Sequence, residues 1–185
     1  MIRAAVALFA AAALAAQVPL VSASGENMRL ASWSITPSAG GGWALTLQMD
    51  DDNGNASLPT SFRRWWHCQV ANLAPGTPLN FRVTNAGYSD VILPVWSLSS
   101  DGVTFGPYTR MPSSAVPTVQ SGTQHLFSVT VPPGVVAMRV AKFFPYTVAR
   151  KDALLASVAG DPRVRSVVSL GSSQQGRPIE KVEWT

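Results

Sequence analysis

The sequence predicts a mostly β protein, an antiparallel β-sandwich of about seven to nine strands followed by one helix and a closing pair of strands. Three observations lead there. From Met28 to Phe144 the apolar residues come in short runs separated by Gly, Pro, Asn and Asp, the residues that turn a chain. Within the runs apolar and polar residues alternate, as strands with one buried face require. After Pro145 the spacing changes from two to about four, the period of a helix.

The first segment stands outside this domain. Arg3 gives a positive start, Ala4 to Leu20 carry no charge, and Val21-Ser22-Ala23 has small residues at the two positions a signal peptidase reads. Residues 1–23 therefore read as a cleaved export leader rather than a stable membrane anchor. Gln17 and Pro19 interrupt the run, which is alanine-rich and falls short of the ~20 strongly apolar residues of a span. The protein is expected to be exported, to the periplasm or beyond.

Seven strands follow in the sandwich, residues 24–146. They are Met28 to Ile35, Trp43 to Met49, Phe62 to Val70, Leu79 to Thr84, Val91 to Leu98, His125 to Val131 and Val135 to Phe144. Leu45, Leu47 and Met49 alternate with Thr46 and Gln48, and Leu79, Phe81 and Val83 with Asn80 and Arg82, so each strand offers one face to a core. Trp65 and Trp66 are neighbours on a predicted strand and must face opposite ways; one joins the core and the other needs a partner surface. Residues 147–185 form the second part. Thr147 caps a helix from Val148 to Val158 that stops at Gly160, and Val164 to Leu170 and Ile179 to Trp184 are two strands joined by Gly171 to Pro178. A sheet begun and not continued points to further protein after Thr185.

Composition and motifs exclude several functions. Loss of the leader removes Arg3 alone, so 14 basic residues become 13 against 10 acidic ones and the net charge falls from +4 to +3. The basic residues are scattered, without the stripe that neutralises a run of phosphates, and no nucleic-acid partner is expected. Cys68 is the single cysteine, which rules out an internal disulfide. With two histidines, His67 and His125, and one cysteine, the chain lacks a protein zinc set, and His67 and Cys68 point to opposite faces of a strand. Gly171-Ser172-Ser173-Gln174-Gln175-Gly176 does not match a serine-nucleophile elbow. Asp50-Asp51-Asp52-Asn53-Gly54-Asn55 has the oxygens of a calcium loop but Ser61 where an EF-hand places its Glu, and reads as a hairpin turn. No catalytic and no metal-ligating residues are assigned.

Three segments, in order, carry a resemblance: Phe62-Arg63-Arg64-Trp65-Trp66-His67-Cys68 with its strand, Phe143-Phe144-Pro145-Tyr146-Thr147 opening the helix, and Leu170-Gly171-Ser172-Ser173-Gln174-Gln175-Gly176-Arg177-Pro178-Ile179. Together they resemble the N-terminal β-sandwich domain of the cytosolic-carboxypeptidase-like zinc metallocarboxypeptidases, the third resembling the first hairpin of the α/β carboxypeptidase-type sheet. The resemblance runs from about Trp43 to Thr185. It implies a two-part enzyme whose catalytic domain holds zinc on two histidines and a glutamate, with a second glutamate as base and an arginine for the substrate carboxylate. None of those residues can be carried over to positions of this sequence, and the first ligand pair is expected beyond Thr185. Zinc is thus expected only in a missing catalytic domain, which would partner this chain in cis or in trans and act on a peptide substrate. The matching residues, Arg63, Arg64, Trp66, His67, Tyr146, Thr147, Gly176 and Arg177, are expected to be structural or to face that domain. The other reading of the same residues is a freestanding exported module that binds glycan or protein through exposed tryptophans.

Overall fold

The computed structural model describes residues 17–51, 54, 55, 57, 59–173 and 176–185. The greater part of the predicted leader, residues 1–16, lies outside them, as do Asp52 and Asn53 of the Asp-rich turn and Gln174 and Gln175 of the last loop. The chain divides into two compact units, one reaching Phe144 and the other Pro145–Thr185. Among the described residues no helix is long and apolar enough to cross a membrane.

The first unit is a sandwich of two five-stranded sheets. Strands β1 (Leu20–Ser22), β2 (Ser32–Pro37), β3 (Trp43–Gln48), β4 (His67–Ala71), β5 (Pro78–Thr84), β6 (Val95–Ser99), β7 (Thr109–Arg110), β8 (Thr118–Gln120), β9 (Gln124–Thr130) and β10 (Ala137–Ala141) follow in the chain. One sheet has the order β1-β4-β10-β6-β7 and the other β2-β3-β5-β9-β8. Neither sheet could stand alone, because each has one apolar face to bury. Trp43, Leu45 and Leu47 of β3, Leu79, Phe81 and Val83 of β5 and Phe127 and Val129 of β9 point inward from one sheet. Cys68 and Val70 of β4 and Met138 and Val140 of β10 join the same core from the other. Each fully buried Leu, Val or Phe of this kind contributes about 1.5–3 kcal/mol.

The alternation read from the sequence is borne out in β3 and β5, and the fold is mostly β as expected. One pairing departs from antiparallel order: β3 and β5 run parallel, Leu45 opposite Phe81. The chain between them visits β4 in the opposite sheet, and a crossover of that length can return a strand in the same direction. The predicted strand Phe62 to Val70 is shorter in fact. Thr60–Phe62 form a 3-10 turn, residues 63–66 are irregular and the ladder begins at His67.

Both faces of the β4 and β10 neighbourhood are covered. His67 and Cys68 are adjacent and both buried, and so are Met138, Val140 and Ala141. The outer cover is the connection after β6: Arg139 stacks over the Phe105 ring at 3.9 Å, and the Tyr108 hydroxyl meets the His67 ring at 2.8 Å.

The second unit has α1 (Val148–Val158), β11 (Val164–Ser172) and β12 (Pro178–Trp184). The helix lies where the sequence places it, and both strands reach into the predicted loop, since Gly171 pairs with Ile179 and Ser172 with Pro178. The Thr147 hydroxyl accepts from the Arg150 backbone N–H at 3.2 Å, satisfying one of the donors that a helix start leaves without an intrahelical partner. Within this unit Lys151 pairs with Glu180 at 2.8 Å. No residue of α1 is buried, and Val167, Val168, Leu170, Ile179 and Trp184 of the hairpin are exposed.

Candidate functional site

The residues singled out by the sequence fall four in each unit: Arg63, Arg64, Trp66 and His67 in the sandwich, and Tyr146, Thr147, Gly176 and Arg177 in the second unit. The sandwich four belong to one continuous segment. Pro59 starts it, since the fixed φ of proline suits the 3-10 turn that follows, and the Phe62 and Arg63 amides donate to Pro59 and Thr60 carbonyls at 3.0 Å.

Arg63 is anchored from two sides. Its guanidinium donates to Asn85 Oδ1 at 2.7 Å, and its carbonyl accepts from the Gly87 N–H at 2.9 Å. Asn85 sits in the left-handed region at φ 60° and donates in turn to the Met49 carbonyl at 3.1 Å. Arg64 donates to the Ser61 carbonyl at 2.9 Å and lies 3.4 Å from Asp90. Trp65 and Trp66 do diverge. The Trp65 ring N–H donates to the Asn27 carbonyl at 2.8 Å on the half-exposed side. Trp66 is buried, donates to the Tyr88 hydroxyl at 3.1 Å, and stacks on Phe127, which stacks on Phe81 with centroids 4.8 Å apart.

Arg63, Arg64, Trp65 and Phe62 line a cleft of about 240 Å³ together with Arg29, Asp50 and Asp51. Arg29 Nε pairs with Asp50 at 2.6 Å. The lining of the cleft thus combines cationic Arg63 and Arg64, the apolar ring of Phe62, and acidic Asp50 and Asp51, with Asp50 paired to Arg29. Among the described residues it contains no nucleophile placed beside a base.

His67 is tied at both ring nitrogens. Nδ1 lies 3.2 Å from the Asn27 carbonyl oxygen, which can only accept, so Nδ1 carries the proton and Nε2 accepts from Tyr108 at 2.8 Å. Burial pushes its pKa down to about 4, outweighing the hydrogen bond to Asn27. His125 donates to the Tyr88 carbonyl at 3.1 Å and is likewise lowered by burial. Cys68 is buried with its pKa pushed up to about 12, so it stays a thiol. Among the described residues no three His, Cys, Asp or Glu side chains converge as a metal set. The described residues do not fit a zinc ion.

In the second unit, Tyr146 is 56% exposed, and Thr147 is the helix cap. Gly176 has φ +71° and closes a turn on Ser173, whose hydroxyl accepts from the Arg177 N–H at 3.2 Å. The sequence reading missed Lys142. This side chain is 2% exposed, with its ammonium 2.9 Å from the Tyr88 ring centroid and 3.8 Å from Asp90, too far for a hydrogen bond. Burial lowers its pKa to about 8 against the pull of Asp90. The only signal was a lysine within the short apolar run Val140-Ala141-Lys142-Phe143 at the end of a predicted strand.

No family model matches the sequence, and no curated protein does. Solved structures do. A metallo-carboxypeptidase from Burkholderia cenocepacia matches over 88% of this chain and 38% of its own, at 22% identity and a TM-score of 0.60. A putative carboxypeptidase A from Shewanella denitrificans OS-217 matches over 88% and 39%, at 21% identity and TM-score 0.60. The metallo-carboxypeptidase from Pseudomonas aeruginosa, solved with (2-guanidinoethylmercapto)succinic acid, matches over 87% and 39%, at 22% identity and TM-score 0.57. The chain spans about two-fifths of the length of these proteins and shares its fold with that part of them.

Proposed function

We propose that this chain is the non-catalytic N-terminal part of an exported zinc metallocarboxypeptidase, inactive alone, with Arg63, Arg64 and Tyr146 among the residues that face the catalytic domain. The observation that carries the reading is the coverage: nearly nine-tenths of this chain matches less than two-fifths of a metallo-carboxypeptidase. The open hairpin agrees with it. Trp184 is 55% exposed and Val167, Val168 and Ile179 are exposed as well, which is costly for a finished sheet and natural for one that receives further strands. The donor chemistry agrees too, since His67, His125 and Cys68 are each committed to packing. A catalytic domain would supply the metal, to activate water toward the peptide; this chain's part is to support that domain.

The alternative, an exported module binding glycan or protein through tryptophans, has weaker support. In the sandwich Trp43 and Trp66 belong to the core and Trp65 and Trp96 are half-buried, which leaves Trp33, 44% exposed on β2. One tryptophan makes a poor platform. Elemental analysis of the purified chain, together with release of C-terminal residues from peptides, tests the leading reading. Less than a tenth of a zinc ion per chain and no release are expected; one tightly held zinc, or turnover by this chain alone, sinks it.

A further inference from the structure

The segment expected to be removed on export contains a strand of the folded domain. β1 lies inside residues 1–23, yet Leu20, Val21 and Ser22 pair with Ala71, Val70 and Gln69 of β4 in an antiparallel ladder. The contacts reach further back. The Asn72 side-chain amide donates to the Val18 carbonyl at 2.8 Å, and Pro19 is buried. Val21 packs against the core cluster itself. A chain cut after Ala23 would lose all of this and leave the Gln69–Ala71 stretch of β4 as an open edge, with its backbone groups unpaired and free to template another chain.

The sequence offers other places to cut before Val18, and of those with alanine at both positions that a signal peptidase reads, Ala13-Leu14-Ala15 leaves the longest apolar run ahead of it. The uncharged run from Ala4 to Ala12 behind Arg3 is nine residues, inside the usual range of about 7–15 for the apolar part of a leader. Sequence alone does not rank this site against the one after Ala23. The fold does, because a cut after Ala15 spares every residue from Val18 to Ser22 that the sheet uses.

We infer that signal peptidase cleaves the Ala15–Ala16 bond, so that the mature protein begins at Ala16 and keeps β1 as the edge strand of its first sheet. Water adds across that amide, which leaves a carboxylate on Ala15 and a free amine on Ala16. This inference rests on the reading that the protein is exported, and it replaces the boundary after Ala23.

The test is to express the whole 185-residue chain in a bacterial host and to determine the N-terminus and intact mass of the exported form. An N-terminus at Ala16 is expected. An N-terminus at Ser24 overturns the inference while leaving export in place, whereas a cytosolic chain that retains its leader overturns the export reading and the inference with it. Two variants separate the sites. Ala15→Asp should abolish the Ala16 terminus and Ala23→Asp should leave it unchanged, since a charged side chain does not fit the position before the cut; the reverse pattern overturns the assignment.

Discussion

At the scale of single residues, burial decides the chemistry. His67, adjacent to Cys68, is expected from sequence to be structural, and in the fold its two ring nitrogens are spoken for by Asn27 and Tyr108. The unfolded chain protonates this imidazole near 6.5 and the folded one only near about 4, so between those values the unfolded state binds more protons. Stability is therefore full above pH 6.5 and is lost as pH falls toward 4, by up to about 3 kcal/mol from this group. Urea unfolding at pH 7.5, 6.5, 5.5 and 4.5 should show that decline, and His67→Gln should flatten most of it; a profile as steep in the variant as in the parent would refute the account. The alternation rule placed His67 and Cys68 on opposite faces correctly. It did not show that both faces are buried, because the loop that covers the outer face lies some forty residues away at Tyr108.

At the scale of elements, the segment from Pro59 to His67 shows how a strand prediction overruns. Phe62, Trp65 and Trp66 have strong strand preferences, but the turn at Thr60–Phe62 and the anchor of Arg63 on Asn85 hold the backbone away from the ladder until His67. Gly87 makes that arrangement possible. A Cβ at this position would lie 1.6 Å from the Thr60 carbonyl oxygen, so the two turns pack backbone to backbone. The Gly87→Ala variant is expected to lose roughly 2–3 kcal/mol, the upper part of the range for overpacking, as measured by chemical denaturation. A loss under about 0.5 kcal/mol would mean that the Arg63 turn yields freely, and that it is not a rigid wall of the cleft.

At the scale of the molecule, the two units differ in how well each buries itself. The sandwich has a continuous core from both sheets, while α1 has no buried residue and β11 and β12 present apolar side chains to solvent. A two-stranded hairpin is marginal by itself, and a helix without a buried residue adds little to steady it. Limited trypsin digestion of the chain should therefore cut first in the second unit, at Arg150, Lys151, Arg163 or Arg165, and leave a resistant fragment that ends near the Phe144–Pro145 boundary. Equal protection of both units would contradict this, and with it the reading of the hairpin as a surface awaiting further strands.

The sequence by itself determined the mostly β character, the alternating faces of β3 and β5, the helix with its Thr147 cap and the final hairpin. Each is a local property, written in periodicity and turn residues within some ten positions. Tertiary structure alone decided the parallel pairing of β3 with β5, the double burial of β4, the capture of Lys142 beneath Tyr88 and the place of Leu20–Ser22 in the sheet. Those depend on partners distant in the chain, and a hydrophobic or hydrogen-bonding residue does not carry the identity of its partner in its own sequence neighbourhood.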